Sequence, residues 1–354
     1  MKQGKSLVEL AMEIERQAKM KKDYVIPTNM LEMTSEDNKF QLQFENGEIN
    51  KPNINPTCHG QLGTHTNIPT KYYNKMMEEA PQLLTSNVNH WLQKNPTKRM
   101  VRTLDNTARA FLSDRYRILD NDQVLSLSIN ALQSIPGGVT VASCEVTEKR
   151  LYLKCTIPSI EMEIKKGDPV RAGFIISNSE IGLGALSGQY FIERLVCLNG
   201  MIVPEYSMRK YHIGRATGNG SEGAIEYFKD DTLEADDKAL MLKLRDTIST
   251  LADRAHLASV VGKLQETTEK KVEDPIHAIE EVQKRFQLNN DEKNSVLMNL
   301  IQGGDLTQYG IINAVTRTAS DIESYDRATE FEKMGGDIIE MSPKDWKVMS
   351  QKVA

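Results

Sequence analysis

Residues 139–215 constrain the fold more than any other stretch, because short apolar runs alternate there with glycines and charged turn residues. Val139 to Val146 alternates towards a Glu148-Lys149 turn, and Leu151 to Ile164 returns with Leu151, Leu153, Cys155 and Ile157 on one face. That pattern predicts a β-hairpin. Lys165 to Asp168 forms the next turn, and Ala172 to Ile176 reads as a third strand. Leu195 to Leu198, then Asn199-Gly200, then Met201 to Val203 predicts another hairpin, since Asn-Gly supplies the positive φ of a type I′ turn. Strands joined by such short turns run antiparallel.

The flanks read differently. Leu7, Leu10, Ile14 and Ala18 lie at helical spacing and predict an amphipathic first helix, with acids inside its apolar stretch and no small-residue cleavage site. Residues 23–70, rich in Asn, Thr, Gly and Pro, read as an irregular arm with at most short strands. Tyr72 to Glu79 and Thr85 to Lys94 predict two short helices, and Asp120-Asn121 caps a third that Pro136-Gly137-Gly138 ends. Beyond Gly220, one helix of about thirty residues is expected within Leu233–Thr267, roughly 45 Å long. Further helices are expected over Pro275–Phe286, Asp291–Ile301 and Leu306–Met334, the last stopped by Gly335-Gly336. The expected class is therefore α+β: N-terminal helices, a central antiparallel β-sheet and a helical C-terminal half. The expected divisions are 1–60, an N-terminal helix and arm; 61–220, the α+β core; and 221–354, a helical region.

The function classes narrow by what the chain lacks. No apolar run approaches the eighteen residues of a membrane span, and Cys58, Cys144, Cys155 and Cys197 form no CxxC pair. A cytoplasmic chain without disulfides, membrane contact or cofactor is expected. Cys58-His59 with His65 has no fourth ligand at a zinc spacing, so no metal is expected there. Ser179 and Ser187 flank glycines outside GxSxG. Gly182, Gly184 and Gly188 make neither a dinucleotide fingerprint nor a phosphate loop. Asp114, Asp120, Asp122 and Asp168 show no spacing that singles out a metal-dependent nuclease. No catalytic residue is named.

Charge is the positive signal. Residues 1–220 hold 27 Lys+Arg against 23 Asp+Glu, whereas 221–354 hold 17 against 26. Lys94 to Arg117 carries seven basic residues and only Asp105 and Asp114 as acids, interleaved with Trp91, Phe111 and Tyr116. Single-strand binders pair basic grooves with aromatic stacking platforms. The candidate nucleic-acid-binding residues are Lys98, Arg99, Arg102, Arg109, Phe111, Arg115, Tyr116 and Arg117, extended after the Asn-Gly turn by Arg209, Lys210, His212 and Arg215. The alternative is a solvated amphipathic surface with each Arg paired to a local acid.

Several strings resemble those of the phage/plasmid-like protein family called domain of unknown function 932. They are Thr103–Arg117 with the Leu-Asp-Asn that follows, Ile176–Gly182, Arg194–Met201, the Arg209–Arg215 exit, and Asn313–Thr316. The similarity runs from about residue 60 to 330. It implies a setting in phages, plasmids and integrated elements, near replication and recombination functions, and no settled catalytic site. A strand-rich core followed by a long helix is also similar to the core of single-strand annealing proteins, an analogy of fold alone. Together these point to single-stranded nucleic acid as partner, an annealing homo-oligomer, and phage or host replication and recombination proteins as neighbours. A protein-interaction module that intercepts a host factor is the alternative, and a metal-dependent nuclease the remoter one.

Overall fold

A computed structural model describes residues 1–37, 39–210 and 230–351. The chain is α+β, as its pattern predicts, but it contains two sheets rather than one. The first is built from β1 (Lys22–Pro27), β2 (Glu32–Glu36), β3 (Lys39–Asn46), β4 (Glu48–Asn50), β5 (Asn53–Ile54), β6 (Lys98–Leu104) and β7 (Thr107–Ser113). Its order is β1-β6-β7-β5-β3-β2, with β4 beside β3 and a parallel pairing between β5 and β7. The irregular arm expected over 23–70 is thus most of a sheet. Phe40, Leu42 and Phe44 alternate inward along β3 over α2 (Pro56–His65), α3 (Thr70–Glu79) and α4 (Pro81–Lys94).

The second sheet is wholly antiparallel, in the order β12-β11-β10-β9-β8. Its strands are β8 (Thr140–Val146), β9 (Leu151–Glu163), β10 (Pro169–Asn178), β11 (Leu186–Arg194) and β12 (Asn199–Lys210). The hairpin around residue 200 forms, but its turn is Leu195–Leu198, with Leu198 at φ +50°. Asn199 and Gly200 lie in β12 opposite Arg194 and Glu193. Gly200 is needed there for space, because a Cβ would stand 2.4 Å from the Phe191 ring. Asp105-Asn106 takes two positive φ values, 48° and 58°, in the turn that joins β6 to β7.

α1 (Leu7–Met20) opens with a capping box, Ser6 and Glu9, and buries Leu10 and Ile14 in the second core with α5 (Asn121–Gln133). The long helix expected over Leu233–Thr267 is broken into α6 (Asp230–Leu251) and α7 (Arg254–Glu269), where Asp253 caps the second helix. α8 (Pro275–Phe286) and α9 (Asn290–Gly303) follow their expected bounds, and Gly304 in the left-handed region stops α9. Leu306–Met334 is likewise two helices, α10 (Gln308–Thr318) and α11 (Tyr325–Ile339), before α12 (Pro343–Ser350). Gly335 and Gly336 do not stop α11. They let it approach α10 and β12, a Cβ on Gly336 falling 2.0 Å from the Ile202 carbonyl. Fully buried Lys154 on β9 meets Glu332 on α11 at 2.6 Å. Among the described residues no helix is long and apolar enough to cross a membrane.

Candidate nucleic-acid interface

The basic segment Lys94–Arg117 is the end of α4 and the β6–β7 ribbon. The ribbon sorts its cations into an inner and an outer set. Arg102 is wholly inaccessible. Its Nε and Nη2 donate to the Asp23 carboxylate at 2.8 and 2.9 Å, Nη2 to Asp120 at 2.8 Å, and Nη1 to the Glu180 carbonyl at 2.8 Å. Arg109 pairs with the Glu180 carboxylate at 2.7 Å. Phe111 is buried against α2, its ring 5.3 Å from that of His65 and its N–H donating to Gln61. Tyr116 donates its hydroxyl to the Ser179 carbonyl at 3.0 Å. Arg102, Arg109 and Tyr116 tie the ribbon to the connection that follows β10, Phe111 packs the ribbon onto α2, and neither Arg102 nor Arg109 presents a free guanidinium to solvent. Buried arginine demands such partners, since an unpaired charge inside costs several kcal/mol.

Asp120, Asp122 and Glu180 bring three carboxylates within a metal's reach, a grouping that no sequence spacing revealed. Lys21, at the end of α1, fills the middle: its Nζ lies 2.7 Å from Asp120, 3.3 Å from Asp122 and 3.4 Å from Glu180. Burial works against this ammonium, yet the three acids hold its pKa above the ordinary lysine value. Burial likewise opposes the Asp120 carboxylate, and Arg102 and Lys21 still keep its pKa low. A divalent ion would have to displace a charge already held in place. The ligand set considered at Cys58, His59 and His65 is not assembled either. Cys58 is buried, His59 Nδ1 meets the Tyr73 hydroxyl at 2.9 Å, and the His65 ring leans on Phe111 at a tilt of 56°.

The outer set lies at the open end of the ribbon. Lys94 ends α4, Lys98 and Arg99 begin β6, and Arg99 faces Ser113, two residues before Arg115. Among the described residues none of Lys94, Lys98, Arg99 and Arg115 has a carboxylate within ion-pair distance. Lys94 Nζ sits 4.7 Å above the Trp91 ring, a cation–π contact. Trp91 is 39% exposed, and its indole N–H donates to Asn87 Oδ1 at 3.1 Å, which fixes the ring. Beside it opens a cleft of about 380 Å³ lined by Trp91, exposed Tyr72, His65 and the amides of Asn67, Asn87 and Asn95, without a carboxylate. That volume lies at the small end of ligand pockets, which run from about 300 Å³. Burial, with Arg99 nearby, pushes the His65 pKa down to about 4, so its ring is neutral at physiological pH.

Of the other candidates, Arg117 is half-buried after the ribbon. Arg209 and Lys210 close β12, paired in register with Ser187 and Leu186; their side chains, and His212 and Arg215 altogether, lie outside the described residues. Tyr72, Asn67, Asn87 and Asn95 are residues that sequence reasoning did not select. Trp91 and Lys94 were visible as an aromatic beside a base, three apart on a helix, the spacing that puts them on one face.

The strings that carry the family resemblance meet in three dimensions. Asn178 Nδ2 donates to the Leu119 carbonyl and to Asn121 Oδ1, the Asn121 N–H donates to Glu180, and Glu180 holds Arg109. No curated protein and no solved structure matches the chain. The family model described as "Domain of unknown function (DUF932)" matches residues 109–331, more than half of the 354. Glu180, its partners Arg109 and Asn121, and the second sheet fall inside the match, whereas Lys21, Arg102 and the Trp91 face precede it. The chain belongs to the DUF932 family.

Proposed function

We propose that the protein is a non-enzymatic binder of single-stranded nucleic acid, and that the strand runs over the open end of the β6–β7 ribbon. One observation carries the reading: four basic side chains of the segment Lys94–Arg115 have no carboxylate partner among the described residues, and the first of them, Lys94, lies over an exposed, hydrogen-bonded tryptophan that lines an amide-rich cleft. Lys94, Lys98, Arg99 and Arg115 supply the phosphate term. Trp91 and Tyr72 replace buried Phe111 and half-buried Tyr116 as stacking platforms, because a base needs an open ring face. Arg102 and Arg109 support the ribbon from inside. The mobile-element setting belongs to the same proposal through the family resemblance, and annealing of strands by an oligomer through the analogy of fold.

Fluorescence anisotropy of a labelled single-stranded oligonucleotide tests the reading. Trp91→Ala removes a stack worth about 1–3 kcal/mol and is expected to weaken binding roughly tenfold or more. Lys98→Ala with Arg99→Ala should weaken it further and flatten its salt dependence. Equal affinity in wild type and all variants would place binding elsewhere. The alternative, a protein-binding role for the acidic helical half, is favoured by exposed Ile276 and Val348. His277 Nε2 on α8 meets the Val348 carbonyl of α12 at 3.2 Å, which brings the two together. That reading requires a host protein to co-purify after nuclease treatment.

A further inference from the structure

A second polar pocket, of about 270 Å³, opens where the Leu195–Leu198 turn meets the ends of α9 and α10. Two of the strings shared with the family line it: Arg194, Cys197 and Asn199 from one, Asn313 from the other. Asp168 accepts Arg194 Nε and Nη2 at 2.6 and 2.8 Å and the Tyr309 hydroxyl at 2.7 Å, so that carboxylate is fully engaged. The remaining Arg194 nitrogen, Nη1, points instead at Cys197 Sγ, 3.4 Å away. Across the pocket, Arg317 is exposed and, among the described residues, reaches only Ser320 Oγ, at 3.5 Å. Lys165 is tied to Asp305 at 3.2 Å. Counting Lys165, Arg194 and Arg317 against Asp168 and Asp305, the walls carry one positive charge in excess.

Asn199 gives the independent sign of a ligand. It is 3% exposed, and its Nδ2 donates to Thr316 Oγ1 at 2.7 Å. The Thr316 hydroxyl already donates to the Ile312 carbonyl, which orients the amide. Asn199 Oδ1 is left without a partner among the described residues. A buried acceptor of this kind is costly unless a donor reaches it. An excess cation and a waiting acceptor describe one chemistry, an anion that brings its own O–H.

We propose that this pocket binds a small oxyanion of the hydrogen-phosphate class. Arg317 and Arg194 Nη1 hold its oxygens and Asn199 Oδ1 accepts its proton. The site lies on the second sheet and the C-terminal helices, apart from the Trp91 face, and does not depend on the nucleic-acid reading.

Isothermal titration with inorganic phosphate and with sulfate, at pH 7.5 and matched ionic strength in chloride, separates charge from the donor, because sulfate carries no proton at that pH. Phosphate is expected to bind at one site, about fivefold or more tighter than sulfate, since an unmet buried acceptor is worth at least that. Arg317→Ala, at an exposed position, should keep its unfolding midpoint and lose about tenfold in phosphate affinity. Cys197 locates the site: it is the one cysteine of the four that is not buried, and phosphate should slow its alkylation by iodoacetamide, read by mass spectrometry. No phosphate-dependent heat and no protection up to about 20 mM would overturn the proposal. Sulfate binding as tightly as phosphate, or phosphate binding untouched by Arg317→Ala, would overturn it as well.

Discussion

Replacing Arg102 with Met separates the buried half of the basic ribbon from the exposed half. The side chain is wholly inaccessible and makes two bonds to Asp23, one to Asp120 and one to the Glu180 carbonyl. Removing one partner of a buried ion pair costs about 3–5 kcal/mol. Here the lower end applies, because Asp23 and Asp120 keep 24% and 18% of their side-chain exposure and Asp120 retains Lys21. A loss of about 3 kcal/mol lowers Tm by roughly 4 °C in a chain of this size. Thermal unfolding by circular dichroism reads it. A double-mutant cycle with Asp23→Asn should return about 1–3 kcal/mol of coupling. Lys98→Ala, at an exposed position, should stay within about 0.5 kcal/mol of wild type, as surface changes do. The reasoning fails if Arg102→Met keeps the wild-type midpoint but loses oligonucleotide binding below it, for then Arg102 would serve the ligand and not the fold.

Three further outcomes follow from packing and charge. Burial pushes His59 and His65 down to about 4, below the ordinary histidine value of 6.5. The unfolded chain therefore binds protons that the native one refuses: stability is full above pH 6.5 and falls as pH drops towards 4, by about 1.4 kcal/mol per pH unit for each histidine. Urea midpoints across that range check the slope, and His59→Gln should reduce it by about half. Gly336→Ala forces a Cβ against the Ile202 carbonyl and Pro204. It should cost about 3 kcal/mol or more, visible as a lowered Tm or lost soluble yield, whereas Gly303→Ala, with open space around it, should be close to neutral. Glu332→Gln leaves the Lys154 ammonium buried without its counter-charge and should lower Tm as much as Arg102→Met does.

Local signals made much of this fold legible. The β8–β9 hairpin and the bounds of α8 follow from periodicity and proline, because those elements obey local rules. The first sheet was legible too, in the Phe40-Gln-Leu-Gln-Phe44 alternation, but a surrounding composition rich in Asn and Thr hid it. What could not be read was which neighbour each glycine faces. Gly200 suggested a turn and Gly335-Gly336 a helix end, yet all three exist for close packing between elements distant in sequence. Charge misled in the same way. Arg102 and Arg99 are alike in one dimension, and alternation along β6 sends one towards Asp23 and Asp120 and the other to the half-exposed face. The Glu180 junction joins α1, the β6–β7 ribbon, α5 and the β10–β11 connection, so no single window contains it.

Tryptophan fluorescence during titration with an oligothymidylate tests the central claim most directly. Trp346 is buried, so Trp91 is the indole a strand can reach. Stacking on that ring predicts saturable quenching, absent in Trp91→Leu. Four phosphate contacts on a single strand predict a slope of log affinity against log salt of about −3. No quenching at low salt, or an affinity indifferent to salt, would contradict the account.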